Sequence, residues 1–111
     1  MYRAKRTKVP VETFHEIGAR NVRIRTLIGG EDGALASSLH EITIGKGGST
    51  AMHRHEWEHQ LIVEKGRGYL QTVEGKVPLR AGDVVLVGAG EEHSFGQSGK
   101  EPIRFLVVTP L

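Results

Sequence analysis

The chain has 111 residues, 15 lysines and arginines against 13 acidic residues, and no cysteine. This length suits one domain, residues 1–111, and the lack of thiols excludes thiolate zinc and iron–sulfur sites, so nitrogen and oxygen must hold any metal. The formal charge is only +2, and no aromatic residues are interleaved in a basic face, so nucleic-acid binding has little support. No apolar run approaches the ~20 residues of a membrane span. We therefore expect a cytoplasmic protein that binds neither nucleic acid nor membrane.

The first twenty residues are interpreted as an N-terminal arm or an edge strand. Four basic residues lie among the first eight: Arg3, Lys5, Arg6 and Lys8. They predict either an arm that touches nucleic acid or an acidic surface, or a solvated, frayed terminus, and we expect the terminus. Residues 11–20 show no persuasive helical period and are interpreted as loop, turn or edge strand, with His15 exposed.

Short segments rich in Val, Ile, Leu and Thr follow, separated by glycine clusters. Turns are predicted at 29–33, 45–48, 66–68, 82–83 and 88–90. Strands are predicted at 22–28, 38–44, 59–64, 69–73, 83–87 and 103–109. In the first strand Val22 and Ile24 share one face and Arg23 lies on the other. This spacing of strands and turns is typical of sandwiches and barrels, so the fold class is all-β.

The last predicted strand is apolar on both faces. Phe105, Val107 and Thr109 share one face, and Leu106 and Val108 lie on the opposite one. The outer face should therefore pack on something, either a partner subunit or a second sheet. The inner face, together with Thr50, either lines an apolar pocket above a metal or belongs to the ordinary core.

Three of the six histidines lie within seven residues, at positions 53, 55 and 59. Residues two apart on a strand point to the same side, so His53 and His55 can grip one ion. His59 has the same parity if the intervening residues are extended. His93, just past the turn at 88–90, is the candidate fourth ligand. Neutral imidazole suits Zn, Cu, Fe, Ni and, less strongly, Mn.

Two stretches that contain these histidines resemble the two cupin motifs. Gly47, His53-x-His55 and Gly66 match the first motif, and residues 82–97, which include His93, match the second. The resemblance covers about 47–97 and implies the cupin-type double-stranded β-helix, a jelly-roll barrel. Two turn positions depart from the motif, because Gly88 stands where proline is usual and Gln97 where asparagine is usual.

The glutamate that usually binds the metal in cupins is absent. His59 and Gln60 are the candidates at its place, and His59 is favoured by its parity and by resemblance to small cupins with four histidine ligands. That resemblance implies one divalent ion per chain, Mn or Fe first, with Zn, Ni or Cu as alternatives. Four neutral imidazoles leave the full +2 charge on the ion, and an octahedral ion would keep two open positions.

Three further residues are candidates for a role beside the predicted ligands. Glu58 either accepts an N–H from a ligand or is solvated, and Trp57 either supports a ligand or simply packs. His40 shares its parity with Ile42 and is either an acid or base of the pocket or a core residue. No catalytic residue is assigned.

The cupin resemblance implies a metalloenzyme that acts on a small organic substrate. Dioxygenase-type chemistry is expected first, and isomerase or lyase chemistry second. The alternative is a non-catalytic protein that binds or senses a small molecule, with the metal as an anchor. A homodimer is expected from the resemblance and from the last strand, which is apolar on both faces.

Overall fold

The computed structural model describes residues 1–111, which form nine strands and two short 3₁₀ segments. The strands are β1 (Glu12–Thr13), β2 (Arg20–Ile28), β3 (Ser37–Ser49), β4 (His59–Lys65), β5 (Arg67–Thr72), β6 (Gly75–Arg80), β7 (Val84–Val87), β8 (Ser94–Ser98) and β9 (Ile103–Pro110). The 3₁₀ segments are Arg6–Lys8 and Gly30–Asp32. No helix has the length and apolarity that a membrane crossing requires.

All nine strands join one curled antiparallel sheet. Its order is β6-β5-β8-β3-β9-β4-β7, with β2 paired to β3 and β1 to β2. Strand β3 is the longest and joins two parts of the sheet: residues 37–44 pair with β9, and Ser49 pairs with Gly96 of β8. The curled sheet confirms the predicted all-β jelly-roll barrel.

Side-chain alternation sends one face of each strand into the barrel. In β2, Val22 is buried and Ile24 is half-buried while Arg23 is exposed, as the sequence predicts. In β9, Ile103, Phe105 and Val107 are buried together. These side chains belong to a core of eleven buried apolar residues that lies inside the curl of the sheet.

Six of the nine strands were predicted individually, and β1, which has two residues and pairs only with β2, lies in the segment for which an edge strand was one of the interpretations. Two strands were missed for local reasons. Strand β6 contains Pro78, which cannot donate to a ladder and is tolerated because β6 lies at the edge of the sheet. Strand β8 contains Gly96, where a Cβ atom would lie 2.1 Å from Cζ of Tyr69. Close packing on that ring therefore requires glycine and weakens the strand signal in the sequence.

The turn predicted at residues 45–48 is wrong. These residues continue β3 as a bulge, because Val22 pairs with Ile44 and Arg20 pairs with Ser49. The single residue between the two β2 partners, Asn21, has a positive φ of 54°, and Gly47 has one of 71°. Glycine tolerates this backbone, so the cluster that was interpreted as a chain reversal allows a strand to bulge.

The expectation of a frayed N-terminus is wrong for Arg6. Its guanidinium donates hydrogen bonds to Glu41 on β3 and to Glu64 on β4, and the Glu41 side chain is only 4% exposed. Arg25 also pairs with Glu41 at 3.0 Å, and Arg104 pairs with Glu64 at 2.7 Å. The arm is therefore held on the barrel by an ion-pair network around a buried carboxylate.

This network also bears on the outer face of β9. Strands β3 and β4 flank β9, so Arg6 spans the outer face of β9 when it reaches Glu41 and Glu64. The sequence offered a partner subunit or a second sheet as the cover, and part of the cover is the protein's own N-terminal arm. Val108 remains 41% exposed.

Candidate metal centre

The barrel contains a cavity of about 290 Å³ that opens at one end. Its wall combines apolar side chains from several strands with one group of polar residues. The polar lining residues are Glu16, His40, Thr50, His53, His55, His59, His93 and Thr109. No lysine or arginine lines the cavity, and Glu16 is the only carboxylate residue in its wall.

A backbone bridge brings two histidines from distant parts of the chain together. The N–H of His53 donates to the carbonyl of His93 at 3.0 Å, and the N–H of His93 donates to the carbonyl of His53 at 2.9 Å. One ring nitrogen from each of His53, His55 and His93 lies within 4.8 Å of the others. These three predicted ligands therefore converge on one point.

The three converging rings are held in the same way, through Nδ1. Each Nδ1–H donates to a backbone carbonyl, and the pairs are His53 with Ala51 at 2.8 Å, His55 with Trp57 at 2.8 Å and His93 with Glu91 at 2.7 Å. A carbonyl oxygen can only accept, so each Nδ1 carries the proton and each Nε2 has a free lone pair. This tautomer is the one in which Nε2 binds a metal.

His59, on β4, lies beside this group. Its Nε2 is 2.8 Å from Nε2 of His55, and its Nδ1 is 3.1 Å from Oγ1 of Thr109. When the Thr109 hydroxyl donates to Nδ1 of His59, the Nε2–H of His59 donates to the Nε2 lone pair of His55; when Nδ1 donates to Thr109 instead, Nε2 of His59 carries a lone pair that can bind a metal. The cluster thus offers nitrogen donors that suit a divalent metal ion.

Burial keeps the imidazoles of His59 and His93 neutral. Desolvation, with help from the neighbouring His55, lowers the pKa of His59 to about 4, and burial also lowers the pKa of His93. Both rings therefore present a lone pair at neutral pH, which metal binding requires.

Of the alternative ligand and the two intervening residues, only Trp57 lines the cavity. Gln60 is exposed, alternates with His59 along β4 and does not line the cavity. The Trp57 indole stacks on the His55 ring, with centroids 4.4 Å apart and planes 5° apart. Glu58 is exposed and accepts no hydrogen bond from a histidine. Of the two interpretations of Glu58, the structure agrees with the solvated carboxylate, because backbone carbonyls and Thr109 lie against the Nδ1 atoms of the histidines.

All five residues predicted for the pocket line the cavity: His40, Thr50, Phe105, Val107 and Thr109. Sequence analysis missed Phe14 and Glu16, which reach the wall because β1 pairs with β2. The Glu16 carboxylate lies 3.8 Å from Nδ1 of His53. Residues 11–20 have no period that would have placed these side chains inside, so only the pairing of β1 could have found them.

Fold and site together define a small jelly-roll barrel with a histidine cluster that can hold a metal. Residues 40–109 match the Cupin domain family, and the chain belongs to that family.

Three comparisons place the chain among known relatives. The polyketide cyclase RemF from Streptomyces resistomycificus is 36% identical, with a TM-score of 0.94 over 99% of this chain and 79% of that chain. The oxalate-binding protein of Thermotoga maritima is 35% identical over 63 residues, which are 56% of this chain and 52% of that protein. The gentisate 1,2-dioxygenase of Ralstonia sp is 37% identical over 60 residues, which are 53% of this chain and 17% of that enzyme. The match thus spans about half of the length of the oxalate-binding protein and less than a fifth of that of the dioxygenase.

The lowered pKa of His59 predicts acid sensitivity of the metal-free protein. Above pH 6.5 the ring is neutral in both the folded and unfolded states. Between pH 6.5 and about 4 the His59 ring is protonated in the unfolded chain and stays neutral in the folded protein. The free energy of unfolding therefore falls as the pH falls. His59→Gln should make the free energy of unfolding depend less steeply on pH. The change in slope should correspond to less than about one proton bound on unfolding, since the ring is only half-buried.

The measurement is urea denaturation of metal-free protein at several pH values between 4 and 8. His15→Gln, a change at an exposed histidine outside the cavity, is the control and should keep the wild-type slope. An unchanged slope in His59→Gln would contradict the prediction.

Proposed function

We propose that this chain is a metal-dependent enzyme that closes a ring in a small enolisable substrate with several carbonyl groups. The ion is held by His53, His55, His59 and His93. The observation that carries the proposal is the convergence of histidine rings on one point of a cavity of about 290 Å³. When bound, a divalent ion with open positions supplies a Lewis acid for a carbonyl oxygen.

The likeness over the full chain supports this substrate class. The solved structure that matches 99% of the chain at 36% identity is named as a polyketide cyclase. Polyketides carry alternating carbonyl groups, and a methylene between two carbonyls loses a proton readily. Cyclisation of such a chain forms one carbon–carbon bond and releases water, so it needs no oxidant.

The chain's own residues bind and shield the substrate. Leu61, Phe105 and Val107 present apolar surface from β4 and β9, which favours a flat carbon skeleton and excludes water. No cationic side chain lines the wall, so substrate oxygens meet imidazoles and threonine hydroxyls. Excluding water strengthens each polar contact that orients the reacting carbons.

Two other functions have a specific observation in their favour. The 37% identity to gentisate 1,2-dioxygenase favours the dioxygenase-type chemistry that the sequence predicted first, although it covers 17% of that enzyme. The 35% identity to an oxalate-binding protein favours a non-catalytic binding role. The first would consume oxygen, and the second would bind its ligand without turnover.

The metal site predicts a pattern across single variants. His53→Ala, His59→Ala and His93→Ala should each weaken metal affinity by more than about 100-fold, because loss of a supporting contact alone costs about 10–100-fold. Gln60→Ala, a change on the exposed face of the same strand, should keep wild-type affinity. Metal per chain and titration calorimetry measure both. If Gln60→Ala lost metal affinity and His59→Ala kept it, the metal ligand would be Gln60 and not His59.

The proposed reaction can be tested with nonane-2,4,6,8-tetraone, in which C3, a carbon between two carbonyls, attacks C8 and one water is lost to give the diol 1-(2,4-dihydroxy-6-methylphenyl)ethan-1-one. We expect metal-loaded protein to form the diol at the same rate with and without oxygen, and His93→Ala to fail. Chromatography of the product and an oxygen electrode measure this. Oxygen uptake with gentisate, or tight oxalate binding without any turnover, would overturn the proposal in favour of the corresponding alternative.

We also propose that the chain forms a homodimer through the outer face of β9, β4 and β7. Ile62, Val84, Leu86 and Val108 are at least 41% exposed there, and Ile62 pairs directly with Val84. Contiguous exposed apolar side chains of this kind mark interaction surfaces. Sedimentation equilibrium should give twice the mass of one chain, and Val84→Lys should shift the protein toward monomer. A monomer for the wild type at about 100 µM would contradict the dimer.

A further inference from the structure

One histidine of the cavity takes no part in the metal cluster. His40 lies on the inner face of β3, in register with Thr26 on β2 and Val107 on β9, and its ring lines the cavity. Its Nε2 is 2.8 Å from Oγ of Ser38, and its Nδ1 is 3.1 Å from Oγ1 of Thr26. It is therefore a titratable group at the cavity wall with both nitrogens oriented.

The hydrogen bonds assign the proton on this ring. The Ser38 hydroxyl, 6% exposed, also lies 3.3 Å from the carbonyl oxygen of Thr109 and can only donate to it. With its one hydrogen used there, Ser38 must accept from Nε2–H of His40. Nδ1 then carries the lone pair and accepts from the Thr26 hydroxyl, and only this arrangement satisfies all three contacts.

We propose that His40 is the base that takes the substrate proton in this cavity, and this inference rests on the ring-closing function proposed above. The Thr26 side chain is exposed, so a substrate enol can take the place of its hydroxyl at Nδ1 of His40. His40 would thereby select substrates with a 1,3-dicarbonyl group that reaches both the metal and β3.

The step balances without a co-reactant. Nδ1 of His40 takes the proton from the carbon between two carbonyls, and the electron pair of that C–H bond forms the new bond to a second carbonyl carbon. The π pair of that carbonyl moves to its oxygen, which takes the proton back from His40. Loss of water completes the ring, so His40 ends as it began.

The surroundings of His40 suit a base. Burial lowers its pKa, so the ring is neutral at pH 7. The titratable groups that face it are His59 on β4 and, around the same cavity, Glu16, His53, His55 and His93. None is a lysine or arginine. Glu16 is the other candidate base, and its carboxylate lies against His53 at 3.8 Å.

The first test is ¹⁵N NMR of zinc-loaded protein with 1-phenylbutane-1,3-dione, which cannot close a six-membered carbon ring. We expect His40 to be neutral and protonated at Nε2 without the probe, and doubly protonated when the probe binds as its enolate, seen as a red-shifted absorbance. Ser38→Ala should make the free ring a mixture of tautomers. Enolate binding with His40 still neutral would overturn the inference and leave the proposed function intact, and no diketone binding at all would overturn the proposed function.

The second test compares His40→Gln with His15→Gln and Glu16→Gln on the tetraketone. His40→Gln should lower kcat by about 100- to 10,000-fold with KM changed less than about threefold and metal content unchanged. His15→Gln, at an exposed histidine, should match the wild type. A rise in KM alone in His40→Gln, or the large loss of kcat in Glu16→Gln instead, would assign the proton transfer away from His40.

Discussion

The candidate site depends on one pair of backbone hydrogen bonds, between His53 and His93. The two residues are far apart in sequence and lie outside the named strands, so no long ladder holds them together. Their reciprocal bonds of 3.0 and 2.9 Å place the two peptide units directly opposite each other. In an antiparallel pair, opposite side chains share one face, so both rings enter the barrel together. Strand β3, which leads into this segment, and β8, which follows His93, supply the rigid frame.

Three of the histidine rings are held in place for metal binding by the hydrogen bonds that their Nδ1 atoms donate. A histidine that is free to rotate would lose entropy and choose among tautomers when it binds a metal. Here Ala51, Trp57 and Glu91 accept from Nδ1 of three rings through their carbonyls. Each acceptor lies two residues from its histidine, so the local chain path fixes both the ring and its proton. The site therefore needs no carboxylate partner, and the exposed Glu58 is consistent with that.

Sequence reasoning predicted the parts of the molecule that alternation and local spacing control. Val22 and Ile24 faced inward as expected, and His53, His55 and His93 converged. It failed where a residue type is chosen by a distant contact. Gly96 is small because Tyr69 packs against it, and Arg6 is ordered because Glu41 is buried on another strand. No local pattern contains either contact, so both required the three-dimensional structure.

The alternation of side chains along β3 places an imidazole on the inner face of the barrel and an ion-paired carboxylate on the outer face. His40 faces the cavity, and the next residue, Glu41, faces outward into the pairs with Arg6 and Arg25. A register shift of one residue would exchange them and put a carboxylate inside and an imidazole among the arginines. The ion pairs stabilise Glu41 only on the outer face, so they favour the register that keeps the cavity free of a second carboxylate. A cation bound by the histidines would then meet fewer negative charges that offset its own.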